Sequence, residues 1–230
     1  MQQICTHSRG CEEELKNVLR HCHDSASSVL KFDELIDLVK DATEQTGVLF
    51  LRHSIRDKFT KDMSIEAQDN MPINEDGITF AKECAEKLQQ LPKIDFVLSS
   101  PAPRCVQTAK LLVPDVYPQV HKEVPVHPPR TSAQGQRWQE FKAERGWLKT
   151  LEAWLTGKIP GMTAPSETAN NVLSFIAASV PNGKLSLVCS HDMSVLAVAE
   201  RLNVRKEDKL DVSFLGGIFI PESVLNKYLD

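Results

Sequence analysis

The chain reads as an α/β protein, a three-layer α/β/α arrangement with a mostly parallel sheet. Three observations predict this. Short apolar runs at 48–53, 95–98 and 185–189 have strand length, and each ends abruptly in polar residues. Between them lie stretches whose apolar residues recur at helical spacing. The two kinds of segment alternate along the chain, which is the pattern of parallel strands joined by crossover helices. A length of 230 residues fits one good-sized domain, or one domain with a modest appendage.

The elements follow in order. Residues 1–46 read as an N-terminal helical extension, with Phe32, Leu35, Ile36 and Val39 forming an apolar stripe to lay on the domain that occupies 47–230. Gly47 ends that helix and the first buried strand begins. Residues 57–73 are polar and irregular, as suits a loop over the strand end. Ile78, Ala81, Ala85, Leu88 and Leu91 define an amphipathic helix that stops before Pro92, and Asp95-Phe96-Val97-Leu98 is the second strand. A helix over about 102–112 carries Val106, Ala109 and Leu112 on one face.

Residues 113–135 hold five prolines, so they read as a long connection around one short strand near 123–126. Trp138, Phe141, Trp147, Leu148, Leu151 and Trp154 give one or two helices with an aromatic face, for packing rather than cofactor stacking. Pro165-Ser166-Glu167 opens a further helix, with acid in its first turn. Leu185–Cys189 is the third strand, with a helix over about 193–203 behind it. The last strand-like run, 212–220, bends at Gly216-Gly217. Segments 57–73 and 121–160 together read as a small helical and loop cap.

Composition narrows the function. A net charge of −4 without a basic stripe argues against a general nucleic-acid partner. No run approaches the ~20 apolar residues of a membrane span. The start, Met1-Gln2-Gln3-Ile4-Cys5, lacks the order of a secretory signal. Of six cysteines, Cys84, Cys105 and Cys189 lie in apolar patterns and read as core residues. Cys5, Cys11 and Cys22 alternate with His7, His21 and His23, but their spacing matches no compact zinc pairing. No disulfide framework is visible, and the expected location is the cytoplasm.

The chemistry gathers where strands end. In a parallel sheet, the ends of the three strands share one rim, where ligands of open α/β sheets bind. The first presents Arg52, His53 and Arg56, the second Ser99 to Arg104, and the third His191-Asp192. Burying two arginines and a histidine without partners would cost several kcal/mol, on the order of the penalties for unpaired buried charge. A cluster of cations in an acidic chain therefore reads as a focused site for a small anion, phosphate above all.

These residues resemble the signatures of the histidine phosphatase superfamily, which includes phosphoglycerate mutases and histidine acid phosphatases. Arg52-His53-Ser54-Ile55-Arg56 is similar to the family's opening Arg-His-Gly. Ser99-Ser100-Pro101-Ala102-Pro103-Arg104-Cys105-Val106-Gln107-Thr108-Ala109 resembles its second, more specific motif, and Ser190-His191-Asp192 the later one. Asn74-Glu75-Asp76-Gly77 and Pro165-Ser166-Glu167-Thr168 are weaker echoes. The likeness runs over about 47–220, and it implies a phosphoglycerate mutase-like fold.

The resemblance implies that His53 attacks phosphorus and carries a transient phosphohistidine. Arg52, Arg56 and Arg104 then spread charge over the phosphoryl oxygens, and His191 donates to one of them. The cations also disfavour imidazolium, which frees a nitrogen lone pair on His53. No metal or other cofactor is expected, because arginines supply the charge. For protonating the leaving group, the mutase-like branch uses a mid-chain glutamate, yet 124–136 contains no acid and Glu123 sits at its edge. The acid-phosphatase branch uses the aspartate after the second histidine, which is Asp192 here. Asp192 is accordingly the expected general acid, with helix N-capping as its plain alternative.

Two departures stand out. Ser54 replaces the usual glycine, so either the close backbone approach to phosphate is altered or its hydroxyl is a phosphate contact. The large helical insertion of acid phosphatases is missing, which leaves His127, Arg130 and Arg137 as candidate cap residues for a second anionic group. The expected function is a metal-independent phosphomonoester phosphatase acting on a small-molecule phosphate ester. A mutase-like phosphotransferase and a non-catalytic phospho-ligand binding module are the rivals.

Overall fold

The computed structural model describes residues 29–60, 62–125, 132–204 and 210–229. Its centre is a five-stranded sheet. In chain order the strands are β1 (Gly47–Arg52), β2 (Ile94–Ser99), β3 (Gln119–Val120), β4 (Leu185–Ser190) and β5 (Gly217–Pro221). Their order across the sheet is β3-β2-β4-β1-β5. The β2–β3, β2–β4 and β4–β1 pairs are parallel, and β5 alone runs antiparallel, against β1. The sheet is mostly parallel, as expected. Its register sets Arg52 beside Ser190 and Ser99 beside Cys189, so β1, β4 and β2 end level with one another.

Both faces are covered, and alternation along the strands divides the core in two. Leu49, Leu51, Leu187 and Cys189 point to one side. There they meet α1 (Phe32–Asp41), α3 (Glu75–Leu88) and α4 (Pro103–Leu112). Val48, Phe50 and Val188 point to the other side. They pack on α6 (Trp147–Leu155), α7 (Pro165–Ser179) and α8 (Asp192–Arg201). Two-sided burial explains why these strands read as continuous apolar runs rather than alternating ones. Each fully buried Leu or Phe is worth ~1.5–3 kcal/mol relative to exposure. Cys84, Cys105 and Cys189 are buried free thiols, as core residues should be.

The helix expected near the N-terminus is present as α1, with Phe32, Leu35, Ile36, Leu38 and Val39 buried. Leu30 just before it exchanges two backbone hydrogen bonds of 3.0 Å with Gly217, so this part of the chain is sewn to the sheet. The cysteines and histidines of the first 23 residues lie outside the described residues.

Three local expectations need correction. The 57–73 segment is not wholly irregular, because α2 (Ile65–Asp69) forms within it. Ser64 caps that helix, its Oγ accepting from the Ala67 amide at 3.1 Å. The short strand near 123–126 instead occurs as β3 at 119–120. Pro125 has no N–H for a ladder, and Val124 is drawn into the core by a turn whose amide donates to His121. The 212–220 run is strand only from Gly217 onward. There a Cβ would stand 2.1 Å from the Phe50 carbonyl oxygen, a gap that admits glycine alone.

The aromatic segment forms two helices, α5 (Ser132–Arg145) and α6. Trp138 and Trp154 are buried in the core with their rings 6.5 Å apart at 85°, and the Trp154 indole donates to the Thr163 carbonyl. The tryptophans are packing residues. A short α9 (Glu222–Leu225) packs against β1 and α7. Among the described residues, no helix is long and apolar enough to cross a membrane.

Candidate active site

The level carboxyl ends of β1, β4 and β2 gather His53, His191 and Arg104 into one buried cluster. Backbone hydrogen bonds carry the ladder past the strands, from the His53 amide to Ser190 and from the Ser100 amide to Cys189, both 3.0 Å. The His53 and His191 rings meet edge to face, with centroids 5.4 Å apart.

His53 has a defined tautomer. Its Nδ1 lies 2.7 Å from the Ser54 carbonyl oxygen, which can only accept, so Nδ1 carries the proton and Nε2 keeps its lone pair. Burial is the largest influence holding its pKa well below 6.5, and Arg52, Arg104 and Arg56 push the same way. The Ser54 carbonyl opposes them. The cations act in the expected direction, and burial adds a larger push the same way.

Three arginines surround the pair, each anchored from outside. Arg52 Nη1 donates to the Val212 carbonyl, and its Nη2 lies 3.5 Å from Asp192 Oδ2. Arg56 sits over the Phe59 ring, with Cζ 3.4 Å from the centroid, and donates to the Asp57 carbonyl at 2.6 Å. Burial and the two other guanidiniums lower its pKa to about 10. Arg104 donates from Nη1 to the carbonyls of Gln68 and Asp69 at 2.8 and 3.0 Å. Its Nη2 lies 3.4 Å from His191 Nδ1, and since guanidinium only donates, that nitrogen is the acceptor. His191 Nε2 then carries the hydrogen, 2.9 Å from Ser100 Oγ and 3.3 Å from Cys105 Sγ.

The Nε atoms of Arg52, Arg56 and Arg104 are all buried without a hydrogen-bond partner among the described residues. A buried, unsatisfied donor costs ~1–3 kcal/mol, more when charged. Three such donors therefore lie in one cluster around the two histidines.

Asp192 stands beside this cluster as the first residue of α8, so His191 rather than Asp192 holds the N-cap position. Its Oδ1 accepts from the Met193 amide at 2.9 Å, while Oδ2 faces Arg52. Glu123, the other candidate acid, instead has Oε2 3.8 Å from His121 Nδ1 on the edge-strand side. Ser54 is oriented away from the expected role, because its Oγ donates to the Gly77 carbonyl at 2.8 Å and its amide donates to Thr108 Oγ1 at 3.0 Å. Arg137 is exposed and donates to the Pro160 carbonyl at 2.7 Å. His127 and Arg130 lie outside the described residues.

The weaker sequence echoes have a structural meaning. The Asn74 side chain accepts from the Gly77 amide and starts α3. Gly77 presses against the backbone of Ile55, two residues beyond His53. Gln107 Oε1 accepts from the Ile73 amide, and Thr108 Oγ1 donates to the Arg104 carbonyl. Sequence reasoning missed Phe59 and Phe214, whose rings cover Arg56 and Arg52. Aromatic residues near a predicted arginine cluster were the available signal. The carbonyls of Gln68, Asp69 and Val212 carry no signal in side-chain identity.

Residues 48–212 match the family model described as histidine phosphatase superfamily (branch 1). None of the curated proteins matches the chain. Among solved structures, a phosphoserine phosphatase from Entamoeba histolytica in complex with 3-phosphoglyceric acid is similar at 18% identity, covering 66% of this chain and 79% of that one, with a TM-score of 0.44. A native mycobacterial glucosyl-3-phosphoglycerate phosphatase is also 18% identical, over 65% of this chain and 76% of its own, with a TM-score of 0.47. A mycobacterial hydrolase is 16% identical over 78% and 94% respectively, also with a TM-score of 0.47.

Proposed function

Because the chain belongs to the histidine phosphatase superfamily (branch 1), we propose that it is a phosphomonoester phosphatase that works through a phosphohistidine on His53. The observation that carries this reading is the triad of buried guanidinium Nε–H groups beside an imidazole with a lone pair at Nε2. An anion cradle next to a neutral nucleophile is what phosphoryl transfer requires, since positioning and charge stabilisation supply most of its catalysis.

In the first step His53 Nε2 attacks phosphorus and the P–N bond forms as the bond to the leaving oxygen breaks. Charge spread over the phosphoryl oxygens is met by Arg52, Arg56 and Arg104, while His191 accepts from the Arg104 guanidinium and helps orient it. The Asp192 carboxyl gives its proton to the departing alkoxide. In the second step water attacks phosphorus, the P–N bond breaks, and the Asp192 carboxylate takes the proton from that water. Asp192 is preferred to Glu123 because it alone of the two contacts an arginine of the cradle.

His53→Ala tests the proposal directly. Hydrolysis of a generic aryl phosphate should vanish while thermal unfolding stays cooperative. Turnover equal to the parent protein would end the reading.

A further inference from the structure

The turn 212–216 has no part in the chemistry above, yet it is fastened to the two residues at its centre. The Val212 carbonyl accepts from Arg52 Nη1, and the Gly216 carbonyl accepts from the Arg52 amide at 2.9 Å. The Leu215 amide donates to the His53 carbonyl at 3.4 Å, and the Gly216 amide closes the turn on Ser213 at 2.9 Å. Leu215 is fully buried and holds φ at 59°, in the left-handed region that a leucine seldom enters. Such a conformation persists only where its surroundings over-determine it, and these cluster at functional sites.

The product of this geometry is the placement of Phe214. Its ring centroid lies 4.1 Å from Arg52 Cζ and 5.8 Å from the His53 ring, tilted by 47°. One phenyl group therefore touches both the nucleophile and a phosphate-binding guanidinium. We infer that Phe214 is a positioning residue for phosphoryl transfer, fixing the Arg52 guanidinium by stacking and shielding the His53 imidazole from water. The inference rests on the phosphatase reading above.

The two effects separate physically. Stacking on an aromatic face is a property of the ring, so a leucine loses it. Shielding needs only apolar bulk, so a leucine retains it. The charged and titratable groups that face His53 are Arg52 at the end of β1, Arg56 after it, Arg104 from α4 and His191 after β4, with Asp192 beyond Arg52. All of these residues are retained in a Phe214 variant, and burial outweighs Arg52 among the influences on His53. Removing the shield exposes His53 to water, which favours imidazolium and moves loss of activity to higher pH.

The test uses the full chain with Phe214→Leu and Phe214→Ala, reading inhibition by inorganic phosphate and the pH profile of kcat/KM on phenyl phosphate. Both variants should bind phosphate about threefold to thirtyfold more weakly, the range expected for a stacked cation. Only Phe214→Ala should shift the acid limb upward, by roughly one pH unit. Phosphate affinity and acid limb both unchanged in the leucine and alanine variants would overturn the inference, as would a loss of thermal stability alone. If the alanine variant does not fold, phosphate inhibition of the leucine variant still decides. A parent protein with no turnover would instead refute the phosphatase reading itself.

Discussion

Adding a single methyl group at Gly77 should disable the site from the far side of the sheet rim. An ideal Cβ there would stand 2.1 Å from the Ile55 carbonyl oxygen, 2.9 Å from its carbon and 3.1 Å from its amide nitrogen. All three atoms are backbone, so no side chain can rotate out of the way. Ordinary contact begins near 3.4 Å, so helix α3 and the Ile55 backbone would have to separate by roughly 1 Å or more. Overpacking of this kind typically costs ~1–3 kcal/mol. The same movement is transmitted to His53 and to the Ser54–Gly77 hydrogen bond, and misplacing a reacting group by ~1 Å costs about 10²-fold in rate. Gly77→Ala should therefore lower the urea midpoint and, in the folded fraction, reduce kcat/KM on an aryl phosphate by about a hundredfold. Parent-like stability together with parent-like turnover would refute the packing argument. Lower stability with unchanged kcat/KM would confine Gly77 to a structural role.

Three further expectations follow from the same geometry. Ser54→Ala removes the hydrogen bond to Gly77 at a cost of ~0.5–1.5 kcal/mol, with kcat/KM kept to within about tenfold. A far larger rate loss at unchanged stability would mean that the hydroxyl meets phosphate after all. Asp192→Asn should slow hydrolysis of alkyl phosphates by ~10²–10⁴ and of aryl phosphates with acidic leaving groups much less; equal losses for both would remove Asp192 as the proton donor. His53 also links stability to acid. Its folded pKa lies well below 6.5, chiefly through burial, whereas the unfolded chain takes up a proton near 6.5. The unfolded state binds more protons below that value, so stability falls as pH drops through it. His53→Ala should flatten this fall in unfolding measurements, and identical slopes for the two proteins would count against a buried neutral imidazole.

How much of this was legible in the sequence depends on what kind of information each feature carries. Strands buried on both faces announce themselves as apolar runs, so β1, β2 and β4 were readable, and with them the rim that joins Arg52, His53, Arg104 and His191. The two-residue β3 was misplaced because Gln119 and Val120 are both exposed and leave no apolar run to read. Ser54 was read from its chemistry, but its partner was decided by Gly77, which reaches it only because α3 packs tightly on Ile55. Arg104 illustrates the limit most clearly. Its charge was visible, whereas the carbonyls that orient it come from a short helix whose side chains say nothing about where their backbone oxygens point. The left-handed Leu215 was equally silent, since leucine gives no composition signal for positive φ.

The most direct test of the central claim is to trap the covalent intermediate. The protein would be mixed with a ³²P-labelled aryl phosphate, quenched in alkaline denaturant, and digested to locate the label. A phosphohistidine is stable to base and labile to acid, and the prediction is that such a label sits on His53 and is missing from the His53→Ala variant. Label on another residue, or continued turnover by the variant, would contradict the account.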